Sequence, residues 1–156
     1  MKKLLLLVLL LPLVPVAAYS QSCTGLAKLN KHIYKPERLV EKKGCITVKG
    51  IIKKKVKEKD GDFHVRLLLD PGQDSDLIND KNKSQQGGFF VFEPICVLPV
   101  TQTSAKKACK GYKQAISLPN VGDHVEVTGI HVLDTEHGWL EMHPVTKIKV
   151  TPKLTP

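Results

Sequence analysis

45-CITVKGIIKKKVKEKDGDFHVRLLLD-70 is the stretch that decides the fold. Residues 45–56 are rich in β-branched side chains, with partial alternation and one internal glycine, which predicts a long strand bent at Gly50. Asp60, Gly61 and Asp62 then supply a turn, and Phe63 to Asp70 runs back as a second strand. The product is a hairpin with its lysines near the tip.

Working outward, Pro71 and Gly72 end the second strand. Asp74 or Ser75 can cap a short helix through Leu77 and Ile78, and polar Asn82 to Gln86 with Gly87 and Gly88 completes what looks like an inserted surface segment. Phe89 to Phe92, inside Gly88–Cys96, is apolar on both faces and predicts a buried central strand. A short helix is expected over Ser104 to Gln114. Pro119 to Asp123 turns into a strand carrying Val125, Val127, Ile130 and Val132, and a last strand runs from Trp139 to Val150 with a break at Pro144. The expected class is all-β: a five-stranded OB-like Greek-key barrel with one or two short helices, stapled by disulfides. The turn PNVGDHVEVTG, residues 119–129, resembles the fourth-strand entry common in OB-folds. A small sandwich or another five-stranded barrel is the competing architecture.

The chain has 156 residues, with 24 Lys plus Arg against 15 Asp plus Glu. Met1 to Lys3 form a positive head, Leu4 to Val16 an apolar stretch interrupted by Pro12 and Pro15, and Ala17 to Ser20 offer small residues for cleavage, so residues 1–20 read as a secretory signal. Some thirteen apolar residues fall short of the roughly 20 that a spanning helix needs. The remainder, 21–156, is one OB-like domain, still basic at 22 against 15, or +7, once Lys2 and Lys3 leave. A periplasmic or extracellular location follows, and a two-domain enzyme is excluded. Four cysteines, Cys23, Cys45, Cys96 and Cys109, allow three pairings. Cys23 with Cys45 and Cys96 with Cys109 is preferred because each closes a short local loop. No two lie at zinc-knuckle spacing.

The densest chemistry lies between Asp134 and Pro144, where five ionisable side chains flank the only tryptophan. Trp139, Glu141 and His143 share parity on the last strand, while Asp134 and His137 come from the preceding turn and can fold toward the same end. Asp134, His137, Glu141 and His143 are therefore candidate ligands for a divalent ion such as zinc, with Glu141 and His64 as candidate catalytic residues acting on a bound water. Asp62 and His64 also share a face on the first hairpin. A ligand-binding set of Asp62, His64, Arg66, His137, Trp139 and His143 is the alternative use of the same groups. A purely structural account is open as well: Asp134 as turn former, Glu141 paired with a lysine, Trp139 in the core. The lysine run 53–59 and the group Lys106, Lys107, Lys110 and Lys113 would draw an anionic polymer or envelope surface, or simply stay solvated.

DGDFHVRLLLD, residues 60–70, is similar to the start of thermonuclease-like OB domains; Asp60 and Asp62 match their acidic turn and Arg66 their strand arginine. The likeness is partial, since Asp70 is followed by Pro71 and Gly72 rather than by that family's acidic-Thr-Pro-Glu motif. Taken whole, the chain resembles a group of exported bacterial and archaeal proteins marked by HGWxExHPV, here His137 to Val145, and DGDxHxRL, here Asp60 to Leu67. That resemblance implies an exported OB-like fold and brings no activity with it. The expectation is a binding module for an anionic ligand (nucleic acid, oligosaccharide or envelope polyanion), with a metal-dependent hydrolase as the alternative.

Overall fold

Five strands account for the frame of the computed structural model, which describes residues 23–152. The leader expected over residues 1–20 lies outside them. Strand β1 spans Leu39–Lys57, β2 Phe63–Leu69, β3 Phe90–Phe92, β4 His124–Asp134 and β5 Leu140–Val150, in one mixed sheet. β1 pairs antiparallel with β4 along its first two-thirds and with β2 along its last third. β2 continues to β3, β3 pairs in parallel with β5, and β5 pairs antiparallel with β4. Two short helices, α1 (Leu26–Leu29) and α2 (Asp80–Gln85), complete the regular elements, beside a few 3₁₀ turns.

The long first strand begins six residues earlier than its β-branched run, at Leu39. Gly50 sits where it changes partner, opposite both Leu69 of β2 and Val125 of β4. A Cβ there would lie 2.1 Å from the Leu68 carbonyl oxygen, so only glycine lets the two backbones approach this closely. The core follows the period-2 pattern in Val48, Ile52, Val65, Leu67, Phe90, Phe92, Val125 and Val127; Met142 and Val145, three apart, both join it because the β5 register shifts between them.

The opposite side of the sheet is also covered. Leu29, Ile33 and Ile95 form a second apolar cluster with Leu39 and Tyr112, and the His32 ring stacks on Tyr112 at 3.8 Å. Two disulfides hold this cover, Cys23–Cys45 and Cys96–Cys109, the pairing preferred on loop length. Among the described residues no helix is long and apolar enough to cross a membrane.

Three local expectations are corrected. The helix expected over Ser104 to Gln114 is a single 3₁₀ turn, Thr103–Ala105, followed by irregular chain. Gly111 takes a φ of 69°, Cys109 is tied back to Cys96, and the Gln114 side chain bonds the Ile95 N–H and the Val145 carbonyl instead of facing solvent. The segment read as a surface insertion is built into the fold. Ser75–Leu77 is a 3₁₀ turn without a side-chain cap, and the true helix is α2, opened by a capping box between Asn79 and Asn82. Asn82 is fully buried, accepting from the Leu140 N–H at 2.9 Å and donating to the Leu140 carbonyl at 2.8 Å. Finally, the break expected at Pro144 is a bulge and not an end: β5 runs on as one strand, but its six residues 142–147 lie opposite only four of β4, 128–131.

Candidate functional site

Alternation along β2 and β5 sends Val65, Leu67 and Met142 into the core and leaves His64, Arg66, Glu141 and His143 on the other face. The parallel β3–β5 pairing sets Val91 beside Glu141 and Phe92 beside Met142. Glu93, the next residue, therefore arrives next to His143. Its Oε2 lies 3.1 Å from His143 Nδ1 and its Oε1 2.9 Å from His64 Nδ1. His143 Nδ1 is also 3.2 Å from Glu141 Oε1, and Glu141 Oε2 accepts the Trp139 indole N–H at 2.7 Å. The shared parity of Trp139, Glu141 and His143 thus becomes a bonded chain, and Glu93 joins it to His64.

His64 Nε2 faces Gln86 Oε1 at 3.0 Å, and the same oxygen accepts from Arg66 Nε at 2.9 Å. Arg66 can only donate, so that atom is an acceptor, and His64 has an acceptor at each ring nitrogen. Two acceptors favour the imidazolium over the neutral ring. Burial opposes the charge, but the Glu93 and Gln86 bonds prevail and raise the His64 pKa.

Burial likewise opposes charge on His143, yet Glu141 and Glu93 push it up to about 10. Glu93, fully buried, is held well below the usual carboxylate range because its two imidazole partners outweigh the cost of burial. Asp62 behaves oppositely. Burial, and then repulsion from Asp60, raise it to about 7, although it accepts the Cys96 N–H at 2.6 Å.

Asp134 and His137 form a separate group. Asp134 pairs with the buried Arg38, accepts the Glu136 and His137 backbone N–H groups, and lies 2.7 Å from His137 Nδ1. The turn-forming role of Asp134 is thereby realised, with an added ion pair. His137 rejoins the first group through its ring, stacked on Trp139 at 4.3 Å, while His64 meets the same indole edge-on at 5.7 Å.

Between the groups lies an open cleft of about 280 Å³. Its lining includes His64, Arg66, His137 and Trp139, the tip residues Glu58 and Asp60, and the paired Arg38 and Glu93. The ligand-binding set expected from the sequence is split: His64, Arg66, His137 and Trp139 border the cleft, whereas Asp62 and His143 are absent from its lining.

The metal quartet does not assemble. Asp134 is engaged with Arg38 and His137, Glu141 with Trp139 and His143, and His143 also with Glu93. Among the described residues the histidine-containing group close enough to share an ion is Asp62, Glu93 and His143, with one ligand atom each within 4.8 Å. In that set His143 Nδ1 already faces Glu93 at 3.1 Å and Glu141 at 3.2 Å, so an ion would have to displace the proton it shares with them. In the other group, Asp62, Cys96 and Cys109, the sulfurs are joined to each other.

Glu93, Gln86 and Arg38 are the residues that sequence reasoning missed. A lone glutamate in the apolar run 89–96 was the available signal, because a charge buried in such a strand demands a partner. Neither the sequence nor the fold matches a family model, a curated protein or a solved structure.

Proposed function

We propose that the chain is an exported binding module on an OB-type Greek-key barrel, and that the cleft takes one unit of an anionic oligosaccharide. The barrel reading is supported by the element order and by pairings that run from β1 through β2, β3, β5 and β4 back to β1. Export is supported by the two disulfides together with the leader-like residues 1–20.

The observation that carries the ligand reading is the inventory of uncommitted groups around Trp139. Glu93 is taken up by two imidazoles and Arg38 by Asp134, so neither offers its charge to a ligand. Arg66 spends its Nε–H on Gln86 and one further donor on the Gln85 carbonyl, leaving three of its five. A carboxylate or sulfate fits those donors. Glu58 and Asp60, also in the lining, are acceptors suited to sugar hydroxyls, and the stacked Trp139–His137 pair gives a ring an apolar flank. A volume of about 280 Å³ suits a single sugar rather than a duplex or an extended strand.

Trp139 is the only tryptophan, so its emission reports directly on the cleft. Titration with a uronic-acid disaccharide should give a saturable change in Trp139 fluorescence, abolished in Arg66→Gln and absent with the uncharged parent disaccharide. A response that never saturates, or one that is equal for the two sugars, refutes the anionic reading.

A further inference from the structure

The two lysine groups that are far apart in sequence are neighbours in space. The Lys59 carbonyl accepts the backbone N–H groups of Thr101 and Gln102, each at 2.8 Å, and Cys109 Sγ lies 3.6 Å from the Asp60 carbonyl. Gly61 packs so closely on this loop that a Cβ would sit 3.0 Å from the Leu98 carbonyl oxygen and 3.6 Å from Cys109 Sγ. The tip of the first hairpin is therefore docked on the loop that the Cys96–Cys109 bond closes. Lys57 and Lys59 on the tip, and Lys106, Lys107 and Lys110 on the loop, are all exposed. No ion pair among the described residues involves any of them. The acidic residues interspersed at the tip, Glu58 and Asp60, line the cleft.

We propose that these five lysines form one composite docking face for a sulfated or carboxylated polysaccharide, assembled when hairpin tip and disulfide loop pack together. This goes beyond the cleft, which takes one sugar unit and none of these lysines. Unpaired like charges held on adjoining segments repel one another, and a polyanion lying across both relieves that repulsion while releasing its counterions.

The aromatic inventory favours a polymer without bases. Binding of single-stranded nucleic acid relies on free ring faces, and the rings beside this loop are occupied. Tyr112 is stacked on His32, with Lys28 Nζ 5.4 Å from its centroid, and Lys35 Nζ lies over the Tyr34 ring at 5.8 Å.

The test uses a long heparin fragment as probe and two charge-removal variants, Lys57→Gln/Lys59→Gln and Lys106→Gln/Lys107→Gln/Lys110→Gln. Each variant should lose about tenfold or more in affinity for the long fragment and show a shallower dependence of log K on log salt. Both should bind a heparin disaccharide as the parent does, because a short probe cannot span the two segments. Equal affinity in either variant overturns the composite face. So does binding of single-stranded DNA as tight as that of heparin at matched charge, which would assign the face to nucleic acid. The Trp139 response to the uronic-acid disaccharide should persist in both variants. Failure of the cleft reading and failure of this one therefore register on different signals.

Discussion

Glu93 Oε2 lies 3.1 Å from His143 Nδ1, although the two residues are fifty positions apart and reach each other only because β3 and β5 run side by side in parallel. Both are buried, so the pair is held where an unmatched charge is most costly. Removing one partner should hurt far more than the pair's net contribution suggests. His143→Ala leaves Glu93 with only His64 and should destabilise the fold by roughly 3–5 kcal/mol, measured by urea unfolding. A loss under about 1 kcal/mol would mean that the two groups are not paired as described.

The pH dependence of this network has a definite sign on each side. The folded pKa of His143, about 10, lies above its ordinary 6.5, so its contribution is complete below 6.5 and is lost as pH rises through 10. Glu93 is depressed, so its contribution is complete above 4.5 and is lost in acid. Thermal melts should fall off at both ends, and His143→Gln should flatten the alkaline limb selectively. An alkaline limb unchanged in that variant would remove His143 as its cause.

Asp62 works against the fold wherever it is ionised. Its pKa rises from 3.8 to about 7, so folding becomes progressively less favourable between those values and the penalty is constant above them. Asp62→Asn keeps an acceptor for the Cys96 N–H and removes the charge. It should therefore raise the melting temperature at pH 8, with the gain shrinking toward pH 4. A gain independent of pH would point to packing instead of ionisation.

Gly50→Ala should be among the most damaging single-methyl changes available. The added carbon meets the backbone of Leu68, which has no rotamer through which to yield. A cost of roughly 3 kcal/mol or more in chemical denaturation is expected. Gly72→Ala serves as the comparison: its carbon would meet nothing within 4 Å, and its φ of 85° supplies conformational strain alone.

Much of the frame was legible because it is local. Alternation in residues 45–70 and 124–150 specified the four longer strands, and shared parity placed Trp139, Glu141 and His143 on one face. What remained hidden depends on pairings no local pattern encodes. The partner of His64 is Glu93, which the sequence offers only as one charge in an apolar run. Asp134 looked like a companion for Glu141 by proximity in sequence, but Arg38, nearly a hundred residues upstream, claims it. Asn82 and Gln86 read as loop because polar residues usually face water; here they satisfy the Leu140 backbone and the His64–Arg66 pair. The spacing of Asn79 and Asn82 was the one hint of a helix start.

Both disulfides fasten the wrapping that lies over the outer side of the sheet, and neither bridges two strands through the apolar kernel. Thiol reductants would accordingly loosen the husk before the kernel, and water would reach His143 and Glu93 while Val48, Leu67 and Phe92 remained dry. A molecule wired this way carries its vulnerability on the outside, in the two sulfur bonds that fasten the wrapping over its ionic interior.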